Sequence, residues 1–122
     1  MSSNIGSNIT FEDIVRLVQE ELVKAKAKFP EPDFLTTAMS EEAGELVRAI
    51  LNHKYAEDAY NSYAEALQYS SQKSKLNDLD TACGVALDEV QKEAIQTIAM
   101  CVRLLMEGDP VHSLPPSFIY SD

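Results

Sequence analysis

Glutamates are the side chains through which this 122-residue chain can do chemistry, and the first group of them stands in "MSEEAGELVRAI", Met39 to Ile50. Wound as a helix at about 100° per residue with Leu35 at zero, Ala38, Met39, Leu46, Ala49 and Ile50 fall within roughly 60° of it. Glu42 falls inside that apolar arc, Glu45 lies just outside its edge beside Ala38, and Glu41 turns toward the polar side. A carboxylate among core-facing side chains is costly to desolvate unless a positive partner meets it. A second group lies farther along: Glu89, Glu93 and Gln96, spaced by four and then three residues, make a polar strip on one shoulder of an apolar helix face, with Glu93 nearest the core. Two helices packed about 8–10 Å apart bring such strips together, so that Glu42 and Glu45 from one and Glu93 and Gln96 from the other can surround one ion. Oxygen ligands alone favour a hard cation. Magnesium is the natural candidate, since it takes one to a few carboxylates, keeps several waters and is completed by substrate phosphates.

Helices must bring these residues together. Thr10, with Asp13 three residues on, predicts a capped helix that begins near Phe11, packs through Phe11, Ile14, Val18, Leu22, Ala25 and Phe29, and stops by Pro30. A second helix is expected from about Asp33, its N-cap, to Tyr55. Between Ala56 and Asp80 the apolar face thins, and the expectation is a short helix through Tyr60, Tyr63, Ala64 and Leu67 followed by a mobile loop over residues 70–81. From Ala82 or Val85 to Glu107 the pattern predicts a strongly amphipathic helix with Leu87, Val90, Ala94, Ile98, Cys101, Leu104 and Leu105 in its apolar arc, ended by Gly108. Residues 1–9 form a polar tail. Residues 109–122 hold three prolines and read as an extended tail, with Leu114, Phe118, Ile119 or Tyr120 docking on a neighbouring surface. No strand signal competes, so the expected fold is all-α, in one domain spanning residues 1–122. Its helices carry more apolar stripe than a small chain can hide, which predicts a homodimer or homotetramer with an intersubunit four-helix core.

Twenty acidic residues against ten basic ones give a formal charge of −10. That charge repels the phosphate backbone of nucleic acid and an anionic membrane surface, so neither is an expected partner. The same acidity suits a cation site, although a solvated acidic surface is the commoner reason for it. Cys83 and Cys101 form no CxxC pair, and Cys101 is placed on an apolar face where a buried thiol is usual. The N-terminus lacks a basic and an apolar signal region, and no apolar run reaches the length of a membrane span, so a reducing cytoplasm is the expected location. A P-loop, a GxGxxG turn, a G-x-S-x-G elbow and zinc-type Cys/His spacing are all missing.

"EEAGELVRAI" resembles the EExxE helix of the MazG-like nucleoside triphosphate pyrophosphohydrolases, an all-α group that includes dimeric dUTPases and dCTP pyrophosphatases, and "KEAIQTIAMCVRLLMEGD" resembles the helix of its second motif. The likeness covers the second and last long helices, and the first is compatible in length and position. It implies an antiparallel helical bundle completed by oligomerisation, in which Glu42 and Glu45 match the ExxE ligands, Glu41 the leading glutamate and Glu93 the first position of an ExxD. It also implies Mg²⁺-dependent cleavage of a nucleoside triphosphate between its α and β phosphates, yielding the monophosphate and pyrophosphate, with Glu42, Glu45 and Glu93 as the catalytic residues. Gln96 departs from the family pattern, standing where aspartate is usual. Its carbonyl can still ligate or hold a metal-bound water but adds no charge, and Glu89, one turn earlier, is the obvious substitute. Two other departures are the roughly forty residues between the motifs and a proline-containing tail in place of a further helix.

Each of these residues also has a plainer reading. Most helical ExxE pairs are surface charges, and Lys54, Lys92 and Arg103 read as solvated cations rather than phosphate contacts. His53 reads as a satisfied core or interface histidine. Ile50 and Asp109 stand three residues before the two histidines, so the Glu-x-x-His signature of di-iron bundles is absent. The alternative function is a non-catalytic helical oligomerisation or nucleotide-sensing module that keeps the fold with a weakened site, and Gln96 points that way.

Overall fold

Thr10 opens the first helix, α1 (Phe11–Lys28), with a reciprocal capping box: its hydroxyl accepts from Asp13 N at 3.1 Å and its own N–H donates to Asp13 Oδ2 at 3.0 Å. The Thr10 N–H is also the first cause that holds the Asp13 carboxyl below its ordinary pKa. The computed structural model describes residues 8–31, 35–67 and 73–117. Two long helices follow, α2 (Leu35–Ala66) and α3 (Lys73–Glu107), and a 3₁₀ turn at Pro110–His112 closes the described chain. The fold is an all-α bundle of three helices with no sheet among the described residues.

Helices α2 and α3 pack side by side and run antiparallel, as the cross-contacts order themselves. Thr36 bonds Asp109, Met39 Sδ lies 3.8 Å from Cys101 Sγ, Thr97 Oγ1 reaches the Glu42 carbonyl, and Lys75 Nζ sits 5.6 Å over the Tyr63 ring. Helix α1 packs on α3. Val18, Ile95 and Ala99 form one buried cluster with Ile14, Leu17, Leu22 and Val102 around it, and Leu35, Ala38 and Met100 form a second beside Ala25, Phe29 and Met39. At 1.5 Å per residue α1 is ~27 Å long against ~48 Å for α2 and ~52 Å for α3, so it covers only part of the hairpin they make.

Several expectations change here. Helix α2 continues unbroken to Ala66 where a stop at Tyr55 and a separate short helix were expected, and α3 already begins at Lys73, so residues 73–81 are helix rather than loop. Lys75, Leu76, Asp78 and Leu79 are compatible with a helix, and Leu76 and Leu79 are both half-buried three residues apart. Residues 70–72, the proposed N-cap Asp33, and Phe118, Ile119 and Tyr120 lie outside the described residues. Phe11 is 74% exposed and takes no part in the α1 packing stripe. Ile50, Leu87, Ile98 and Leu105 are exposed, and so is the Cys101 thiol, because α1 and α2 claim the Ile95, Ala99, Met100 and Arg103 side of α3 instead. Both cysteines are free.

Arg103, expected in solvent, is 1% exposed. Its Nε and Nη2 donate to Glu107 at 2.6 and 3.4 Å, and its Nη1 donates to the Ala25 carbonyl at 3.1 Å. That carbonyl lies in the last turn of α1 and also accepts from Phe29 N at 2.8 Å, so the buried guanidinium adds a second donor that ties the end of α1 to α3. The tail is not extended through residues 109–114. Gly108 takes φ +72, where a Cβ would meet the Leu114 carbonyl at 2.5 Å, and the chain doubles back so that Asp109 and Leu114 form an isolated bridge. The fully buried Asp109 carboxylate accepts from the Thr36 hydroxyl and from Val111 N, and lies 2.9 Å from His112 Nδ1. The Thr36 bond is the leading cause of its lowered pKa, with the His112 contact adding to it. Leu114 remains exposed. Among the described residues, no helix is long and apolar enough to cross a membrane.

Candidate metal centre

Glu42 and Glu45 stand three residues apart on α2 and so share one side of it, and the antiparallel register of α3 sets Glu93 opposite them. One carboxylate oxygen from each of the three lies within 4.8 Å of the others. Their exposure is graded: Glu45 is open to solvent, Glu42 is half-buried, and Glu93 is only 5% exposed. Thr97, one turn on from Glu93, fastens the two helices at this level. Its Oγ1 lies 2.8 Å from the Glu93 carbonyl, to which it donates, and 3.3 Å from the Glu42 carbonyl.

Gathering three acids has an electrostatic cost. The Glu93 pKa rises to about 7, first through burial, then through its bond to Glu89 and the negative charges of Glu45 and Glu42. Glu42 is raised as well, again mostly by burial and next by Glu45, with Lys28 acting against the shift. Near neutral pH the three groups therefore hold a proton among them unless a cation supplies the missing positive charge. Three oxygen donors in this arrangement are able to chelate a divalent metal.

Gln96 joins the group through its amide nitrogen. With its NH₂ oriented toward the two acids, the amide donates to Glu42 Oε2 at 3.0 Å and to Glu93 Oε2 at 3.1 Å. Glu89 is exposed, bonds Glu93 and lies 3.8 Å from Lys92 Nζ, just outside the three-oxygen group. Glu41 is exposed. Of the five residues expected as ligands, the fold thus brings Glu42, Glu45 and Glu93 together as oxygen donors, ties two of them with Gln96, and leaves Glu89 at the rim. His53 and Lys54 pair along α2 with Glu57 at 3.1 Å and Asp58 at 3.0 Å.

Two hollows flank the cluster. One, of about 360 Å³, has Glu42 and Gln96 in its wall with Lys24, Lys28 and Phe29 from the end of α1 and Lys92 from α3. The other, of about 270 Å³, lies farther along the α2–α3 pair and is lined by Glu45, Arg48, Asn52, Glu89 and Glu93. Lys24, Lys28, Arg48, Asn52 and Thr97 were not among the residues expected at a site, and Phe29 was expected only as a packing residue. The four-residue spacing of Lys24 and Lys28, which sets both on one face, was the available signal. Comparison with family models, curated proteins and solved structures finds no match for this chain.

Proposed function

We propose that this chain is a magnesium-dependent nucleoside triphosphate pyrophosphohydrolase of the MazG-like kind, splitting an NTP or dNTP with water into the monophosphate and pyrophosphate. The observation that carries the reading is the convergence of the Glu42, Glu45 and Glu93 carboxylates from two helices within 4.8 Å. An all-oxygen donor set rich in carboxylate, open to solvent at Glu45, fits a hard divalent cation that keeps part of its water. Glu42, Glu45 and Glu93 hold the ion, with Glu89 available at the next turn. When bound, such an ion polarises the phosphates it touches and lowers the pKa of a water. Gln96 keeps the Glu42 and Glu93 carboxylates turned toward the same point, and a cluster oxygen left free takes the proton of the attacking water. Val47, Ile50 and Leu51 of α2 and Leu87 of α3 are exposed large apolar side chains of the hairpin. A second copy covering them would make the homodimer or homotetramer.

A second reading rests on Gln96. Its two donated bonds, together with a proton held on Glu93, satisfy the cluster without any cation. That suits a non-catalytic helical oligomerisation or nucleotide-sensing module. A screen for pyrophosphate release over canonical and modified nucleotides, with and without Mg²⁺, separates the two. The enzyme reading expects release from at least one nucleotide, lost in Glu42→Gln. The module reading expects none.

A further inference from the structure

The hollow on the α1 side of the carboxylates collects positive charge in an acidic molecule. Three of the chain's ten basic residues, Lys24, Lys28 and Lys92, line it. Lys24 and Lys28 line it from α1 and Lys92 from α3, so two helices contribute the cations. Their present partners are weak ones. Lys24 and Lys92 each have one exposed pair within their own helix, at 3.4 and 3.8 Å, and Lys28 Nζ lies 5.1 Å from the centre of the Phe29 ring. Exposed intrahelical pairs of this kind are worth little, so an incoming anion of higher charge displaces them at small cost. Glu21, also in the lining, and Glu42 are the opposing charges, and Glu42 is shared with the cluster. The hollow beyond Glu45 has the reverse balance, one guanidinium from Arg48 among three carboxylates.

We propose that the Lys24, Lys28 and Lys92 hollow is a pyrophosphate subsite: it holds the two terminal phosphates of the nucleotide, and the pyrophosphate they become, while the nucleoside end lies on the Arg48 and Asn52 side. This rests on the reading of Glu42, Glu45 and Glu93 as the metal centre, for the carboxylates then sit between the two hollows at the bond to be cut. Charge decides the polarity. A pyrophosphate group carries several negative charges and needs point cations, which lysine ammonium groups supply, whereas a nucleoside does not.

Calorimetric titration of the full chain with inorganic pyrophosphate, with and without Mg²⁺, tests this in wild type, Lys28→Gln and the double variant Lys24→Gln/Lys28→Gln. Lys26→Gln is the control, making the same charge change on the same helix outside the hollow. Lys28→Gln is expected to weaken pyrophosphate binding about tenfold, the worth of one charge-assisted hydrogen bond, and the double variant to weaken it further. Lys26→Gln should change it less than about twofold. Equal loss in Lys26→Gln and Lys28→Gln, unchanged affinity in the double variant, or no pyrophosphate binding by wild type would each overturn the subsite. Titration with Mg²⁺ alone reads the carboxylates separately. Absent Mg²⁺ binding beside lysine-dependent pyrophosphate binding would reject the metal reading and uphold the anion subsite.

Discussion

Gln96 of α3 donates to Glu42 of α2 at 3.0 Å, and this one bond, made across the helix interface, holds a half-buried carboxylate beside a buried one. The same amide reaches Glu93 at 3.1 Å, so the side chain that breaks the expected acidic pattern acts as the clasp between two acids. Replacing it by aspartate removes both donors and adds a fourth negative charge. Gln96→Asp is expected to lower the melting temperature of the metal-free protein by roughly 3–5 °C. It should also enlarge the stabilisation produced by Mg²⁺, because the added charge is an added ligand. Thermal melts with EDTA and with Mg²⁺ check both.

The metal-free protein should lose stability as the pH rises from about 4.5 to 7. Glu93 keeps its proton to higher pH when folded than when unfolded, so over that window the native state binds more protons and unfolding is favoured by raising the pH. Burial and the neighbouring acids set the size, on the order of 2–3 kcal/mol at pH 8 relative to pH 5. Denaturant melts in EDTA measure it. Glu93→Gln should flatten the profile, and saturating Mg²⁺ should reverse much of the loss.

The Asp109 carboxylate gives the opposite sign. Its bonds to Thr36, His112 and Val111 N favour the charged form, so their contribution is present above the ordinary carboxylate range and is lost as the pH falls below it. Asp109→Ala leaves the Thr36 hydroxyl and the Val111 N–H without an acceptor and should release the tail from the start of α2. Limited proteolysis should then cut within residues 109–117 much faster than in wild type.

The exposed apolar side chains of the α2–α3 hairpin predict association. Light scattering at micromolar concentration should report a dimer or tetramer, and Ile50→Glu or Leu87→Glu should shift it toward monomer while leaving the helical content unchanged. A wild-type monomer would count against a second copy as the cover.

How far the chain could be read ahead of its structure depended on range. The Thr10 capping box and the Pro30 stop are local, and both boundaries of α1 follow from them. Glu42 was found because its apolar setting conflicts with its charge, and Glu45 and Glu93 because they stand at the edges of the apolar faces, a pattern visible along single helices. The segment "SQKSKLNDLD" was misread because its apolar face is thin, and from Lys73 on it is helical in a long pair with α2. Ile98, Cys101 and Leu105 were assigned to the core because periodicity shows which residues share a face but not which face a partner takes. Arg103 is buried because the end of α1 offers it the Ala25 carbonyl, a contact 78 residues away in sequence.

The central claim is that Glu42, Glu45 and Glu93 hold a divalent cation that serves nucleotide cleavage. Pyrophosphate release from a panel of nucleoside triphosphates, compared between wild type and Glu45→Gln with Mg²⁺ and with EDTA, is its most direct test. Glu45 is exposed, so the substitution leaves packing intact and removes one ligand charge. The account predicts release from at least one nucleotide in wild type, falling by about a hundredfold or more in Glu45→Gln and in EDTA. Folded wild-type protein that releases no pyrophosphate from any nucleotide with Mg²⁺, or that releases it equally well in Glu45→Gln, would contradict it.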